Sequence, residues 1–146
     1  MSLIVGLMIL SACKEPIPEP TYTPPDSSFG LIYSNIFAPS CALSGCHVSG
    51  QEAPLLMGEN VYQSIVGMAA TNGEAMQIGL QLIKPFDADS SFMYQKLVYD
   101  SSAFQFGAPM PQGGISLADD KIAFVKEWIE AGAPLLGHVA DRTLIE

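Results

Sequence analysis

Two thiols and an imidazole fall within one short stretch, Cys41-Ala42-Leu43-Ser44-Gly45-Cys46-His47. A pair of thiols can add across the two vinyl groups of a haem. A histidine directly after the second thiol can then carry its imidazole to the iron from the same turn. The usual spacing for this chemistry leaves two residues between the cysteines; here there are four. Gly45 gives the longer loop room to bulge beside Cys46. Other chemistries compete for the same residues. Cys41 and Cys46 could close a disulfide, with His47 on the surface, in a non-haem surface lipoprotein acting as a binding or structural module. They could also join His47 and His138 in a zinc site, although the ligand spacing is irregular. A catalytic thiol is disfavoured in an oxidising compartment.

A second candidate ligand lies further along. Gly107-Ala108-Pro109-Met110-Pro111 sets a methionine between two prolines. Haem iron in electron carriers often takes a Met sulfur opposite its His, and the flanking Pro109 and Pro111 pre-set the backbone that would present it. Met57 is only ten residues beyond His47, which leaves little chain to enclose a ring. Met68 and Met76 lie in a Gly/Ala-rich stretch, and Met93 on an expected helix face. His138 follows the last expected helix and reads as a solvated residue of a loose tail.

The third cysteine has a different setting. Residues 1–12, MSLIVGLMILSA, are apolar, uncharged and too short to span a bilayer. They fit the apolar core of a secretory leader, although no Lys or Arg precedes the run. Leu10-Ser11-Ala12-Cys13 resembles the lipobox of bacterial lipoproteins, which implies cleavage before Cys13 and lipidation of its sulfur. Residues 13–28 then form a lipidated Cys and a Pro-rich linker. The five prolines between 14 and 28 favour an extended spacer, of about 45 Å if fully stretched.

These groups need a scaffold, and the periodicities supply one. Phe29, Ile32, Ile36 and Phe37 repeat at helical spacing until Pro39. A short helix is expected over 59–66, closed by Gly67. Another is expected over 90–99, capped by Asp89 or Ser90, with Phe92, Met93, Leu97 and Val98 on it. The clearest is the last. Ser116 and Asp119 form a capping-box pattern, Ile122, Val125, Trp128 and Ile129 share a face, and Gly132 and Pro134 end it. Asp119 and Asp120 complement the helix dipole. Strand signals are poor, so the domain is expected to be all-α with long loops around a packed group. It occupies 29–136, with 137–146 as a C-terminal tail.

The chain carries fifteen Asp and Glu against six Lys and Arg. That argues against nucleic acid as a partner and against simple adhesion to anionic lipid. It suits docking on a basic patch of another protein. No nucleophile triad, phosphate loop or catalytic carboxylate pair is present in the sequence.

From Phe29 to Pro134 the chain resembles the monohaem class I cytochrome c family, in its bacterial lipoprotein branch. The resemblance is carried by Ile36-Phe37, Cys41, Cys46-His47, Met110-Pro111 and Trp128-Ile129-Glu130-Ala131-Gly132-Ala133-Pro134. The segment Lys84-Pro85-Phe86-Asp87-Ala88-Asp89-Ser90-Ser91 also resembles the turn before that branch's third helix. The four-residue spacing between cysteines departs from the family pattern and bears on the thioether bonds rather than on His47. The resemblance implies a class I cytochrome c-like fold, with N- and C-terminal helices crossing over one covalent haem c. It implies His47 and Met110 as iron ligands, and Phe37 and Trp128 at the helix crossing. Pro54-Leu55-Leu56 resembles the segment whose carbonyl accepts the proximal His N–H. Phe37, Leu55, Leu56 and Trp128 would form the apolar shell. An iron with both axial positions filled carries electrons rather than catalysing bond chemistry. The expected partners are redox proteins, including a larger membrane respiratory complex. The expected location is the bacterial cell envelope, lipid-anchored and facing the periplasm or the exterior.

Overall fold

A computed structural model describes residues 24–48, 52–98, 106–112 and 116–145. The leader, Cys13, the linker as far as residue 23 and the expected end of the third helix at Tyr99 lie outside the described residues. Among the described residues the fold is helical, with isolated bridges and no sheet. Its elements are α1 (Ser28–Ile32), a π-helical continuation (Tyr33–Cys41), α2 (Val61–Ile65), α3 (Gly73–Gln77), α4 (Phe92–Leu97), α5 (Asp119–Glu130) and a 3₁₀ turn (Arg142–Leu144). No described helix is long and apolar enough to cross a membrane.

The N- and C-terminal helices are in contact. The ring of Phe29 on α1 lies 5.9 Å from that of Trp128 on α5 and 5.2 Å from Tyr62 on α2. Phe29, Ile32, Phe124, Trp128 and Ile129 are fully buried around this contact. Such aromatic pairs contribute about 0.5–1.5 kcal/mol beyond the area they bury. The ring against Trp128 is Phe29, eight positions before the expected Phe37. Phe37 is also buried, but it sits on the π-helical continuation.

Pro39 does not stop the first helix. It lies inside the π-helical continuation, where the wider turn carries the chain on to Cys41. The Ala42 N–H donates to the Phe37 carbonyl five residues back at 2.7 Å. Lys121 Nζ of α5 also donates to the Asn35 carbonyl of this turn, at 2.9 Å. The chain thus stays helical up to the first cysteine.

Two capping expectations change, and one helix is new. α5 begins after Ala118, with no side-chain cap, and Ser116 is exposed outside it. Asp119 and Asp120 do occupy its first turn. α4 begins after Ser91. The Ser91 hydroxyl donates to the Asp87 carbonyl at 2.8 Å and accepts from the Lys84 N–H at 2.8 Å, closing the 84–91 turn instead of capping the helix. α3 was absent from the sequence-based expectations. Its signal is Asn72, whose side-chain oxygen accepts from the Glu74 and Ala75 N–H groups. The end of α5 is as expected: Gly132 N–H bonds to Ile129 O and Ala133 N–H to Trp128 O, a Schellman closure with Gly132 at φ +96°.

The C-terminal segment is docked rather than loose. Gly137 O accepts from the Ser28 N–H at 3.0 Å, and the Ser28 hydroxyl accepts from the Val139 and Ala140 N–H groups. Ser27 donates to Leu135 O, Glu127 accepts from the Asp141 N–H, and Ile145 is buried. The reason is the start of α1: Ser27 and Ser28 are fully buried, and this segment supplies partners for their polar groups.

Candidate functional site

The π-helical continuation delivers Cys41 to the head of a tight loop. Cys46 N–H bonds to Leu43 O at 2.9 Å, and His47 N–H returns to Cys41 O at 3.1 Å. Gly45, at φ +84°, makes the reversal that a side-chain-bearing residue would resist. Leu43, Ser44 and Gly45 therefore bulge outward, with Ala42 buried, while Cys41 and His47 stay tied through the backbone. Both thiols are free; Cys46 is exposed and Cys41 partly covered. Burial, with the neighbouring Cys46 second, pushes the Cys41 thiol up to about 11. It is a neutral thiol at neutral pH.

The chain then returns past its own histidine. Leu56 N–H bonds to His47 O at 2.9 Å, and the Pro54 carbonyl lies 2.9 Å from His47 Nδ1. A carbonyl can only accept, so Nδ1 carries the proton and Nε2 keeps its lone pair. This is the arrangement in which an imidazole binds a metal through Nε2 while its other nitrogen is held in orientation. Leu56 is buried, whereas Leu55 is 41 % exposed, and Leu43 and Met57 are exposed as well. Of the expected apolar shell, Phe37, Leu56 and Trp128 are buried and Leu55 is on the surface. Exposed apolar side chains beside two free thiols and a pre-oriented imidazole fit a covalently attached, largely apolar ring: the ring would cover them.

Met110 sits on a different support. Its N–H donates to Lys96 O on α4 at 2.9 Å, and the side chain is partly exposed between Pro109 and Pro111. The Lys96 ammonium donates to Phe106 O at 3.3 Å and also to Ala108 O. Phe106 packs edge-on against Phe92 of α4, with centroids 5.7 Å apart. The buried face of α4 is Phe92, Tyr94 and Lys96; Met93 and Leu97 are half-buried and Val98 is exposed. The expected face of Phe92, Met93, Leu97 and Val98 missed Lys96 because a charged residue is normally placed outward. The i, i+4 spacing of Phe92 and Lys96 was its available signal.

His138 Nε2 lies 3.1 Å from Asp26 Oδ1 on the surface beside α1. Among the described residues no three of His, Cys, Asp and Glu gather where they could hold a metal ion. The structure therefore does not assemble the zinc alternative built on His138. A recess of about 430 Å³ lined by Asn72, Gly73, Glu74, Gln77, Phe106 and Gly107 includes none of the expected haem residues.

No family model, curated protein or solved structure matches the chain.

Proposed function

We propose that this chain is a membrane-tethered monohaem c-type cytochrome that carries single electrons between redox partners. The reading is carried by one observation above the rest, the His47 Nδ1–H held by the Pro54 carbonyl in the same loop as two free thiols. It is supported by the contact between the N- and C-terminal helices through Phe29 and Trp128, the crossing that a class I cytochrome c-like fold requires.

When bound, the haem supplies a reversible one-electron couple. The chain's own residues do the rest. Cys41 and Cys46 supply the sulfurs for attachment. His47 presents Nε2 to the iron, its ring fixed by Pro54. Met110 would supply a thioether ligand, which favours the ferrous form. The exposed Leu43, Leu55 and Met57 would be covered by the bound group, and Phe37, Leu56 and Trp128 would belong to the dry core beside it. With His47 and Met110 both as ligands the iron would offer no position to a substrate, and on this reading the protein is a carrier rather than an enzyme. Lipid on Cys13 and the Pro-rich linker would let the acidic domain reach a basic partner, such as a subunit of a respiratory complex, from the envelope surface.

The test is to express the chain, with its leader, in a host with cytochrome c maturation machinery. Haem colour that survives acid-acetone extraction, with both thiols consumed by mass spectrometry, is the expected result. A colourless protein whose mass corresponds to a Cys41–Cys46 disulfide would establish the surface-lipoprotein alternative instead.

A further inference from the structure

We infer that Lys96 is a positioning residue that holds Met110 against the iron; this rests on the haem reading above. Lys96 is 8 % exposed, although its side chain ends in an ammonium. Burying such a group is costly unless it is hydrogen-bonded, and a Leu or Met at this position of α4 would avoid that cost. What the ammonium gains lies in the Met110 loop. It donates to Phe106 O and Ala108 O, while the backbone carbonyl of the same residue accepts the Met110 N–H.

The loop needs this help. Pro109 and Pro111 have no N–H, and Gly107 is at φ +89°. Helical bonding cannot satisfy the carbonyls of such a segment, so donors must come from outside it. Lys96 meets that need from one point on α4, binding the loop at residues 106, 108 and 110. The Phe106 ring against Phe92, with the ammonium 5.9 Å from the Phe92 centroid, closes the clamp from the other side. Asn72 adds a bond to Phe106 O at 3.4 Å. The methionine is thereby fixed relative to α4 instead of riding on a free loop. Thioether sulfur is a weak, neutral ligand, so its hold on the iron depends on such pre-organisation more than an imidazole's would.

The experiment uses haem-loaded full-length protein and compares wild type, Lys96→Met, Lys96→Arg and Met110→Ala. Lys96→Met keeps the volume and helix propensity and removes the donors. Three quantities are read on each: ferric affinity for imidazole, the sulfur-to-ferric-iron charge-transfer band, and thermal stability. Lys96→Met is expected to keep covalent haem, to weaken the charge-transfer band and to bind imidazole about tenfold more tightly, the scale of one lost net hydrogen-bonding interaction. Lys96→Arg, which retains donors for both carbonyls, is expected to restore most of the wild-type resistance to imidazole. A Lys96→Met protein with lowered stability but an intact band and wild-type imidazole affinity would show that Lys96 only packs α4, and would overturn the inference. If Lys96→Met does not accumulate as holoprotein, Lys96→Gln, with one amide donor, is measured instead and is expected to fall between wild type and Met110→Ala. If wild type carries no covalent haem, or Met110→Ala leaves its band unchanged, the haem reading itself has failed, a result distinct from a silent Lys96.

Discussion

His47 Nδ1 and the Pro54 carbonyl oxygen stand 2.9 Å apart, seven positions from each other in the chain, and a second bond runs from Leu56 N–H to His47 O. The first bond selects a tautomer and the second fixes the ring's root. Together they leave Nε2 as the only free donor atom of the side chain.

On the proposed haem reading, replacing His47 by Ala removes the proximal ligand but not the thiols. The expected product still carries covalent haem in reduced yield and lacks the six-coordinate low-spin spectrum. Added imidazole should restore that spectrum by occupying the space left beside the iron. A low-spin spectrum in His47→Ala without imidazole would mean that another side chain binds there.

The docking of the C-terminal segment on α1 is tested at Ser28. Its hydroxyl accepts from the Val139 and Ala140 N–H groups while the residue is fully buried. Ser28→Ala leaves both amides without that acceptor, at a cost of about 1–3 kcal/mol. Denaturant unfolding should show the loss, and hydrogen exchange at residues 139 and 140 should quicken more than in α5. Unchanged exchange at both amides would show that the segment is held by other contacts.

How much of this was legible in the sequence depends on what each residue's pattern encodes. The face of α5 and its closure were legible, because Val125, Trp128 and Ile129 repeat at helical spacing and Gly132 marks the reversal. The Pro54 carbonyl was reached only through the family resemblance, since no local pattern says which backbone oxygen a histidine will find. Pro39 misled because the rule that proline ends a helix assumes i to i+4 bonding, and the chain here continues as a π turn. Ser116 misled because a capping pattern is a local preference, and the helix started three residues later. The docking of 137–145 was invisible, because it depends on polar groups at Ser27 and Ser28 that become buried only once the fold closes. Lys96 was missed for the same reason, a tertiary need overriding a local charge rule.

The 84–91 turn makes a pH prediction. Hydrogen bonds from Lys84 first, then from Ser90, hold the Asp87 carboxyl at about 2, against 3.8 for a free side chain. Folded Asp87 thus prefers the charged form. Its contribution is complete above the unfolded value near 3.8 and is lost as pH falls through about 2. Lys84 and Asp87 are both substantially exposed, so added salt should weaken the effect. Carboxyl titration by NMR should place the Asp87 midpoint near 2 at low salt, and Lys84→Met should move it toward the ordinary range. A midpoint indifferent to Lys84→Met would rule out the ion pair as the cause.

Attachment to the membrane is predicted to depend on Cys13. Each buried acyl CH₂ contributes about 0.8 kcal/mol, so two or three chains hold a protein firmly. Cys13→Ser is expected to move the protein from the membrane pellet to the soluble fraction without altering its haem spectrum. Persistent pelleting that resists high salt would exclude the lipid anchor.

Carrier and catalyst are separated at Met110. On the proposed haem reading its sulfur favours ferrous over ferric iron, so Met110→His should lower the midpoint potential while the iron stays six-coordinate. Met110→Ala should open the position, and the iron should then take up cyanide or imidazole far more readily than wild type. Pro109 and Pro111 act one step removed, through the backbone they pre-set, so alanine at either is expected to change ligand affinity less than Met110→Ala does. The opposite pattern is equally clear: wild-type protein that already binds cyanide readily, with a spectrum that Met110→Ala leaves untouched. In that case the sixth position belongs to another residue or to none. An open iron behind an oriented His47 would then be a ligand-binding or enzymatic haem, and the single-electron role would have to be given up.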